Sequence, residues 1–218
     1  MSKKVFAIIN GYGVPKNMDL DKSYHAYLTQ VFNWLWEKYA KEKITLMPVG
    51  GLTDFWPPYK RTEAGEMAKW IKNQIQQTGV KWQIKPIATQ LTALENILAC
   101  KKMVTGGTLY YFCERTREHK MKILIKKILG LKTQVISIEF DCSPPRYQIP
   151  GRKELEKQDL AYSLLALKNP SWRKFLKLAA AEKIKILRKT PENIRRTEID
   201  RITRKIRAEY YNKYQKHK

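Results

Sequence analysis

Along the first 140 residues, short apolar runs rich in β-branched and aromatic residues alternate with stretches whose apolar positions return every three or four residues. The runs are Val5-Phe6-Ala7-Ile8-Ile9, Ile44-Thr45-Leu46-Met47-Pro48-Val49, a weaker one from Trp82 to Ile87, Leu109-Tyr110-Tyr111-Phe112 and Val135-Ile136-Ser137-Ile138. The stretches between them predict helices over 24–41, 62–77, 92–104 and 118–129. In the first of these, Tyr27, Leu28, Val31, Leu35 and Tyr39 form an apolar stripe that Phe32 and Trp36 widen. No tight hairpin signal separates two runs. Strand and helix in strict alternation require crossover connections, hence a parallel sheet covered on both faces. The expected fold is α/β, a Rossmann-like three-layer sandwich with a mainly parallel five-stranded sheet. Right-handed crossovers bring the strand C-termini to one edge, where ligands bind in such sheets.

The residues that follow the runs carry the chemistry. Asn10-Gly11-Tyr12-Gly13 follows the first, but a GxG without a third glycine is a weak dinucleotide signal. Gly50-Gly51 ends the second, and Thr62-Glu63-Ala64 opens the next helix. Glycines let backbone N–H groups approach a phosphate or carboxylate, and a helix N-terminus attracts anions. The same residues also read as a turn and a capped helix start, with Thr62 the cap and Glu63 a favourable first-turn carboxylate. Glu63 is in addition a candidate for a ligand hydroxyl or for general acid/base work. Cys113-Glu114-Arg115-Thr116-Arg117-Glu118-His119-Lys120 follows the fourth run and is the densest chemical cluster in the chain. Its arginines suit bidentate binding of phosphate or carboxylate. Surface ion pairs are the plainer reading. Asp141 follows the fifth run.

Ser143-Pro144-Pro145 and Pro150-Gly151 mark a boundary, placed between domains 1–145 and 146–218. Beyond it the pattern predicts only helices, over 152–168, 171–189 and 191–215, with Asn169 and Thr190 as caps. Leu155, Leu160, Leu164, Leu165, Phe175, Leu176, Ile186 and Leu187 are too many apolar residues for a disordered arm. This α-helical extension is expected to pack, at least partly, on the first domain. In its last helix Ile199, Ile202, Ile206, Tyr210 and Tyr214 line one side. Arg195, Arg196, Arg201, Arg204, Lys205 and Arg207 supply a candidate surface for nucleic acid or an acidic membrane, beside the plainer reading of a solvated basic face.

The chain of 218 residues carries a formal charge of +23, and 20 of its 43 Lys+Arg lie in 151–218. Such a field favours anionic partners. Three cysteines make no disulfide scaffold, and neither they nor His25, His119 and His217 show zinc spacing, so no metal is expected. There is no Walker A motif and no GxSxG elbow. The apolar run at 5–9 is too short for a signal peptide, and no run approaches the ~20 residues of a spanning helix. The expected location is cytoplasmic.

The order of these motifs resembles the YdcF/SanA/ElyC family over about residues 4–142. Its members show a strand ending in a glycine pair, a loop and a Ser/Thr-Glu-Ala helix start, here Gly50, Gly51, Thr62, Glu63 and Ala64. A later Glu-Asn opens a helix, here Glu95 and Asn96; a turn with His and a following basic residue is matched by His119 and Lys122. The Phe112-Cys113-Glu114-Arg115-Thr116-Arg117 turn stands where the family has a Thr/Ser-rich one. Ala93 stands where it carries Thr, and many members have an N-terminal membrane helix. The resemblance implies a Rossmann-like fold and an anionic small ligand: a nucleotide, S-adenosylmethionine or a phosphorylated metabolite or carrier.

Two functional expectations result. In the first, Asn10, Gly11, Gly50, Gly51, Thr62, Glu63, Glu95, Asn96, Glu114, Arg115, Arg117, His119 and Asp141 contribute to a ligand site at the sheet edge. If the site is an enzyme's, a hydrolase or transferase on a phosphorylated substrate, Glu63 or Glu114 is the acid/base and Arg115 with Arg117 the charge clamp. In the second, the chain is a nucleic-acid or acidic-membrane adaptor acting through its basic tail.

Overall fold

A computed structural model describes residues 4–89, 91–130, 133–144 and 147–215, excluding the side chains of Tyr210, Lys213, Tyr214 and Gln215. The expected domain junction at Pro145 and Arg146, and also His217, lie outside the described residues. The chain divides into two compact units, 1–140 and 141–218.

The first unit holds strands β1 (Val5–Asn10), β2 (Ile44–Val49), β3 (Gln83–Ile84), β4 (Thr108–Glu114) and β5 (Thr133–Ile138). They form one sheet in the order β3-β2-β1-β4-β5, with every pairing parallel. Helices α1 (Lys22–Tyr39), α2 (Glu63–Thr78), α3 (Ala93–Lys101) and α4 (Glu118–Ile128) make the crossovers. Helices α1 and α2 touch each other, as do α3 and α4. With right-handed crossovers the first pair covers one face and the second pair the other. This is the expected α/β fold. Its strand order reverses between β1 and β4.

Local chemistry fixes the elements. All six residues of β1 are buried, as a central parallel strand requires. Helix α1 starts at Asp21, whose side chain accepts from Tyr24 N at 3.0 Å. It buries Tyr24, Tyr27, Leu28, Val31, Phe32 and Leu35. Helix α2 starts at Thr62 and closes on Gly79 in the left-handed region, φ 72°. Strand β3 is much shorter than the expected 82–87. Only Gln83 and Ile84 pair, and Ile87 adds an isolated bridge to Val49. Of the residues between, Lys85 and Pro86 are exposed at the sheet's edge, where no partner strand selects for apolar side chains.

The second unit contains α5 (Arg152–Lys168), α6 (Pro170–Lys189), a single turn α7 (Glu192–Arg195) and α8 (Glu198–Gln215). Helix α6 contacts both α5 and α8. Phe175, Leu176, Ala179, Ile184, Leu187, Ile199, Ile202 and Ile206 are buried. Tyr162, Trp172 and Phe175 form an aromatic cluster, and Tyr211 packs on Trp172 with ring centroids 5.6 Å apart. Leu165, expected in the core, is 44% exposed. The expected helix over 191–215 is broken at Arg196 and Thr197. Arg195 is buried and donates through Nε and Nη2 to Thr190 O, at 3.2 and 3.0 Å. Asn169 caps α6 as expected, its Oδ1 accepting from Ser171 N. Thr190 instead ends α6, donating its hydroxyl to Ile186 O.

Candidate functional site at the carboxyl edge of the sheet

Parallel register brings the ends of β1, β2 and β4 together. Asn10 pairs with Val49 and Ile9 with Phe112, so Gly11, Gly50 and Glu114 follow side by side at one edge. The backbone here is heavily self-bonded. Gly11 N donates to Val49 O and Gly50 N to Ile87 O, both at 3.1 Å. Glu63 N donates to Gly51 O and Ala64 N to Gly50 O, also at 3.1 Å, while Gly65 N donates to Thr62 Oγ1 at 3.0 Å. These five N–H groups, which the glycine turn and helix start could otherwise offer to an anion, are spent on the fold itself.

The glycines serve a different purpose: they make room for Glu63. A Cβ on Gly11 would lie 2.8 Å from Glu63 Cβ, and one on Gly50 would lie 2.5 Å from it. Both would also collide with Glu63 Oε2. The carboxylate is seated over the gap between β1 and β2, and its Oε1 accepts from Thr53 Oγ1 at 2.7 Å. Gly50 in addition has φ +147°, a conformation other residues avoid.

Arg117 also reaches Gly11. Its Nη1 donates to Gly11 O at 2.9 Å, and its guanidinium lies over the Tyr12 ring, 5.0 Å from the centroid. Tyr12 in turn stacks on Phe140, with centroids 4.1 Å apart. The guanidinium therefore bridges from β4 to β1 at the point of strand-order reversal. It is the N-cap residue of α4, whose start has no side-chain cap. Arg115, two residues earlier, points elsewhere: it makes an ion pair with Glu139, and both side chains are mostly exposed. Such a pair contributes at most about 1 kcal/mol. A 3-10 turn over Arg115–Arg117 separates the two arginines. Glu114 is buried, with Oε1 accepting from Thr116 N at 2.7 Å and Oε2 from Thr116 Oγ1 at 2.6 Å. It shapes that turn.

The remaining expected residues divide. Asn10 is buried; its Oδ1 accepts from Tyr111 OH, its Nδ2 donates to Gly11 O, and its carbonyl accepts from Tyr27 OH. It anchors the end of β1. Thr92 caps α3 through Glu95 N, which places Glu95 and Asn96 in the first turn, shortly after Ile87. Asn96 is 6% exposed, and its buried Oδ1 has no hydrogen-bond partner among the described residues. His119 is exposed on α4. Asp141 is exposed at the start of the second unit and accepts from Ser143 N.

Two features escape the sequence reading. Asp54, fully buried, accepts from Arg61 Nη2 and Nε at 2.9 and 3.2 Å, and Arg61 Nη1 donates to the carbonyls of Pro15 and Lys16. This clamp ties the β2–α2 loop to the β1–α1 loop beside the site. The buried hydroxyls of Tyr24, Tyr27 and Tyr111 fix the end of β1 from below; Tyr12 N donates to Tyr24 OH at 2.9 Å.

Cys113 lies under this edge, and burial pushes its thiol up to about 12; burial does the same to Cys100. Neither is a thiolate at neutral pH, so neither is a nucleophile there. Native alkylation with iodoacetamide, read by peptide mapping, is expected to modify the partly exposed Cys142 first. Equal rates at Cys113 would show that β4 opens.

The cations of the last helices are largely engaged within the second unit. Arg201 pairs with Glu198, Arg204 with Asp200, Lys205 with Glu209 and Arg207 with Asp159. Arg207 also lies over Tyr162, and Arg195 is internal. Arg196 is half-buried. Among the described residues, no group of three or more His, Cys, Asp or Glu could hold a metal ion, and no helix is long and apolar enough to cross a membrane. No family model matches the chain, and no curated protein matches it.

Proposed function

We propose that the first unit binds an anionic small molecule that also carries a hydroxyl or amino donor, at the β1/β4 crossover. A nucleotide, S-adenosylmethionine or a phosphorylated metabolite or carrier has that chemistry, in keeping with the resemblance to the YdcF/SanA/ElyC family. The observation that carries the reading is that Gly11 meets both groups: its α-carbon faces Glu63 and its carbonyl accepts from Arg117. Arg117 donates to a carbonyl and lies over a ring, which fixes the orientation of a guanidinium suited to a phosphate or carboxylate. Glu63 is an acceptor-only group suited to a ribose-like hydroxyl or an amine. Asn96 adds an amide whose buried oxygen has no protein partner among the described residues. If the bound molecule is also transformed, Glu63 is the acid/base. Glu114 is occupied with Thr116.

The test begins with native mass spectrometry of the purified chain and calorimetry with a nucleotide and sugar-phosphate panel. Arg117→Ala is expected to weaken binding by roughly 1.5–3 kcal/mol, about 10- to 150-fold, the worth of a charge-assisted contact. Arg115→Ala should leave affinity within twofold, because its partner is Glu139 on the surface. Equal losses in the two variants would move the anion site off the crossover.

A further inference from the structure

We propose that the amino edge of the parallel sheet docks the phosphate backbone of double-stranded nucleic acid. This edge lies opposite the carboxyl edge, and the proposal does not rest on the small-molecule reading. Each crossover helix runs back against its strands, so helix C-termini and strand starts share the amino edge. Lys101 and Lys102 close α3, and Lys126 and Lys127 stand in the last turn of α4. Lys4 and Lys43 directly precede β1 and β2. All six are exposed. Among the described residues none of the six makes an ion pair. The first unit's ion pairs belong to the other edge, as Arg61 with Asp54, Arg115 with Glu139 and Lys122 with Glu118 show. Its acids are segregated in the same way. Asp54, Glu63, Glu66, Glu95, Glu114 and Glu118 end strands, lie in the loops after them or open helices, whereas the amino side carries only Glu37 and Glu42.

Lysines at helix C-termini also serve the helices, because each such end carries about half a negative charge. Four helix ends amount to roughly −2. The six lysines exceed that, and Lys38, Lys41 and Lys81 stand on the same edge. Continued by one residue, the register sets Lys4 between Lys43 and Gly107. Neighbouring strands lie about 4.8 Å apart, so Lys4 and Lys43 place like charges side by side. Such a placement works against the fold and is relieved by a bound anion. Gly106 and Gly107 are exposed, so the entry to β4 presents bare backbone beside Lys4.

The arrangement selects among polyanions. Strands about 4.8 Å apart make a five-stranded edge about 20 Å long. A duplex carries roughly a dozen phosphates over that length. Helices α3 and α4 touch, and packed helices lie about 10 Å apart. Their two lysine pairs therefore suit phosphates on the two banks of a groove about 12 Å wide. A single strand would need open aromatic faces. At the end of α1, Trp34 has Lys38 over its ring and Tyr110 and Phe112 packed against it. Trp36 packs on Phe32, and Tyr39 on Tyr110. Stable attachment to a membrane needs apolar insertion besides charge. Met103, 36% exposed, is the large apolar side chain exposed among the described residues of this edge. The connections that form the edge hold no Arg, Asn or Gln for base edges, so binding should be insensitive to sequence.

Fluorescence anisotropy with a labelled mixed-sequence duplex, titrated with salt, tests this on the full chain. Six phosphate contacts give a slope of log affinity against log salt of about −5. The variant carrying Lys101→Gln, Lys102→Gln, Lys126→Gln and Lys127→Gln should keep its helical circular dichroism and flatten the slope by about 3.6. Lys4→Gln with Lys43→Gln should flatten it by about 1.8. A charge-matched control with Lys16→Gln, Lys22→Gln, Lys60→Gln and Lys72→Gln, all exposed and away from this edge, should keep the parent slope. The proposal is overturned by an unchanged slope in the first fourfold variant, or by an equal flattening in the control. It is also overturned by tighter binding of the matching single strand, by binding to phosphatidylserine vesicles without binding to duplex, or by no duplex binding in about 50 mM salt.

Discussion

Replacing Gly50 with alanine should lower the stability of the chain by about 2–6 kcal/mol, combining roughly 1–3 kcal/mol of overpacking with roughly 1–3 kcal/mol of backbone strain. The new Cβ would lie 2.5 Å from Glu63 Cβ, on a residue at φ +147°. Gly11→Ala should cost less, about 1–3 kcal/mol, because it meets Glu63 without a positive φ. A Glu63→Ala background separates the two. It removes the carboxylate that both new methyl groups would strike, so Gly11→Ala should be partly rescued. Gly50→Ala should be rescued less, since its backbone strain persists and its contact with the remaining Cβ, at 2.5 Å, is closer than the 2.8 Å at Gly11. Urea melts of the three single variants, the two double variants and their parent measure this. A Gly50→Ala protein within 0.5 kcal/mol of the parent would show that Glu63 is not seated as described.

This seat was only half legible in the sequence. The glycine pair, the Thr62 cap and the strand before it were visible as local patterns, because turn and cap chemistry acts over a few residues. That Gly11 and Gly50 flank one carboxylate depends on the register of β1 against β2, which local patterns do not encode. Arg115 and Arg117 are indistinguishable in sequence. A single 3-10 turn, shaped by Glu114 and Thr116, sends one to Glu139 and the other to Gly11. The i,i+3 and i,i+4 acid–base spacing that engages Arg201, Arg204 and Lys205 was legible and outweighed by the charge count. The pairing of Arg207 with Asp159 spans 48 residues and was not. Nor was the break after α7: no glycine or proline marks Arg196 and Thr197, and the turn forms where Arg195 reaches back to Thr190.

The same buried edge should make the protein sensitive to alkali. Burial raises Cys100 and Cys113 from 9.0 to about 12, and raises Tyr27 and Tyr111 well above 10.0. A raised folded value means that the folded chain keeps a proton which the unfolded chain releases. The associated stability is complete below the unfolded value and is lost as pH climbs towards the folded one. Each such group costs about 1.4 kcal/mol per pH unit. Each thiol is half ionised in the unfolded chain at pH 9, so the two together remove about 2 kcal/mol between pH 9 and 10. With both tyrosines the slope above pH 10 reaches about 5.5 kcal/mol per unit. Against a typical total of about 5–15 kcal/mol, cooperative unfolding is expected between roughly pH 10 and 12. Exposed tyrosines should ionise first, and the last tyrosinate absorbance at 295 nm should appear together with the loss of far-ultraviolet circular dichroism. Lysine deprotonation relaxes the net charge of +23 and acts in the opposite sense, but equally in closely matched variants. Slopes are thus the measure. Tyr111→Phe is less stable at neutral pH, because Asn10 loses its donor, yet its slope above pH 10 should be shallower by about 1.4 kcal/mol per unit. Complete tyrosine ionisation near pH 10 with the helical signal intact would show that this hydroxyl cluster is not buried in the folded protein.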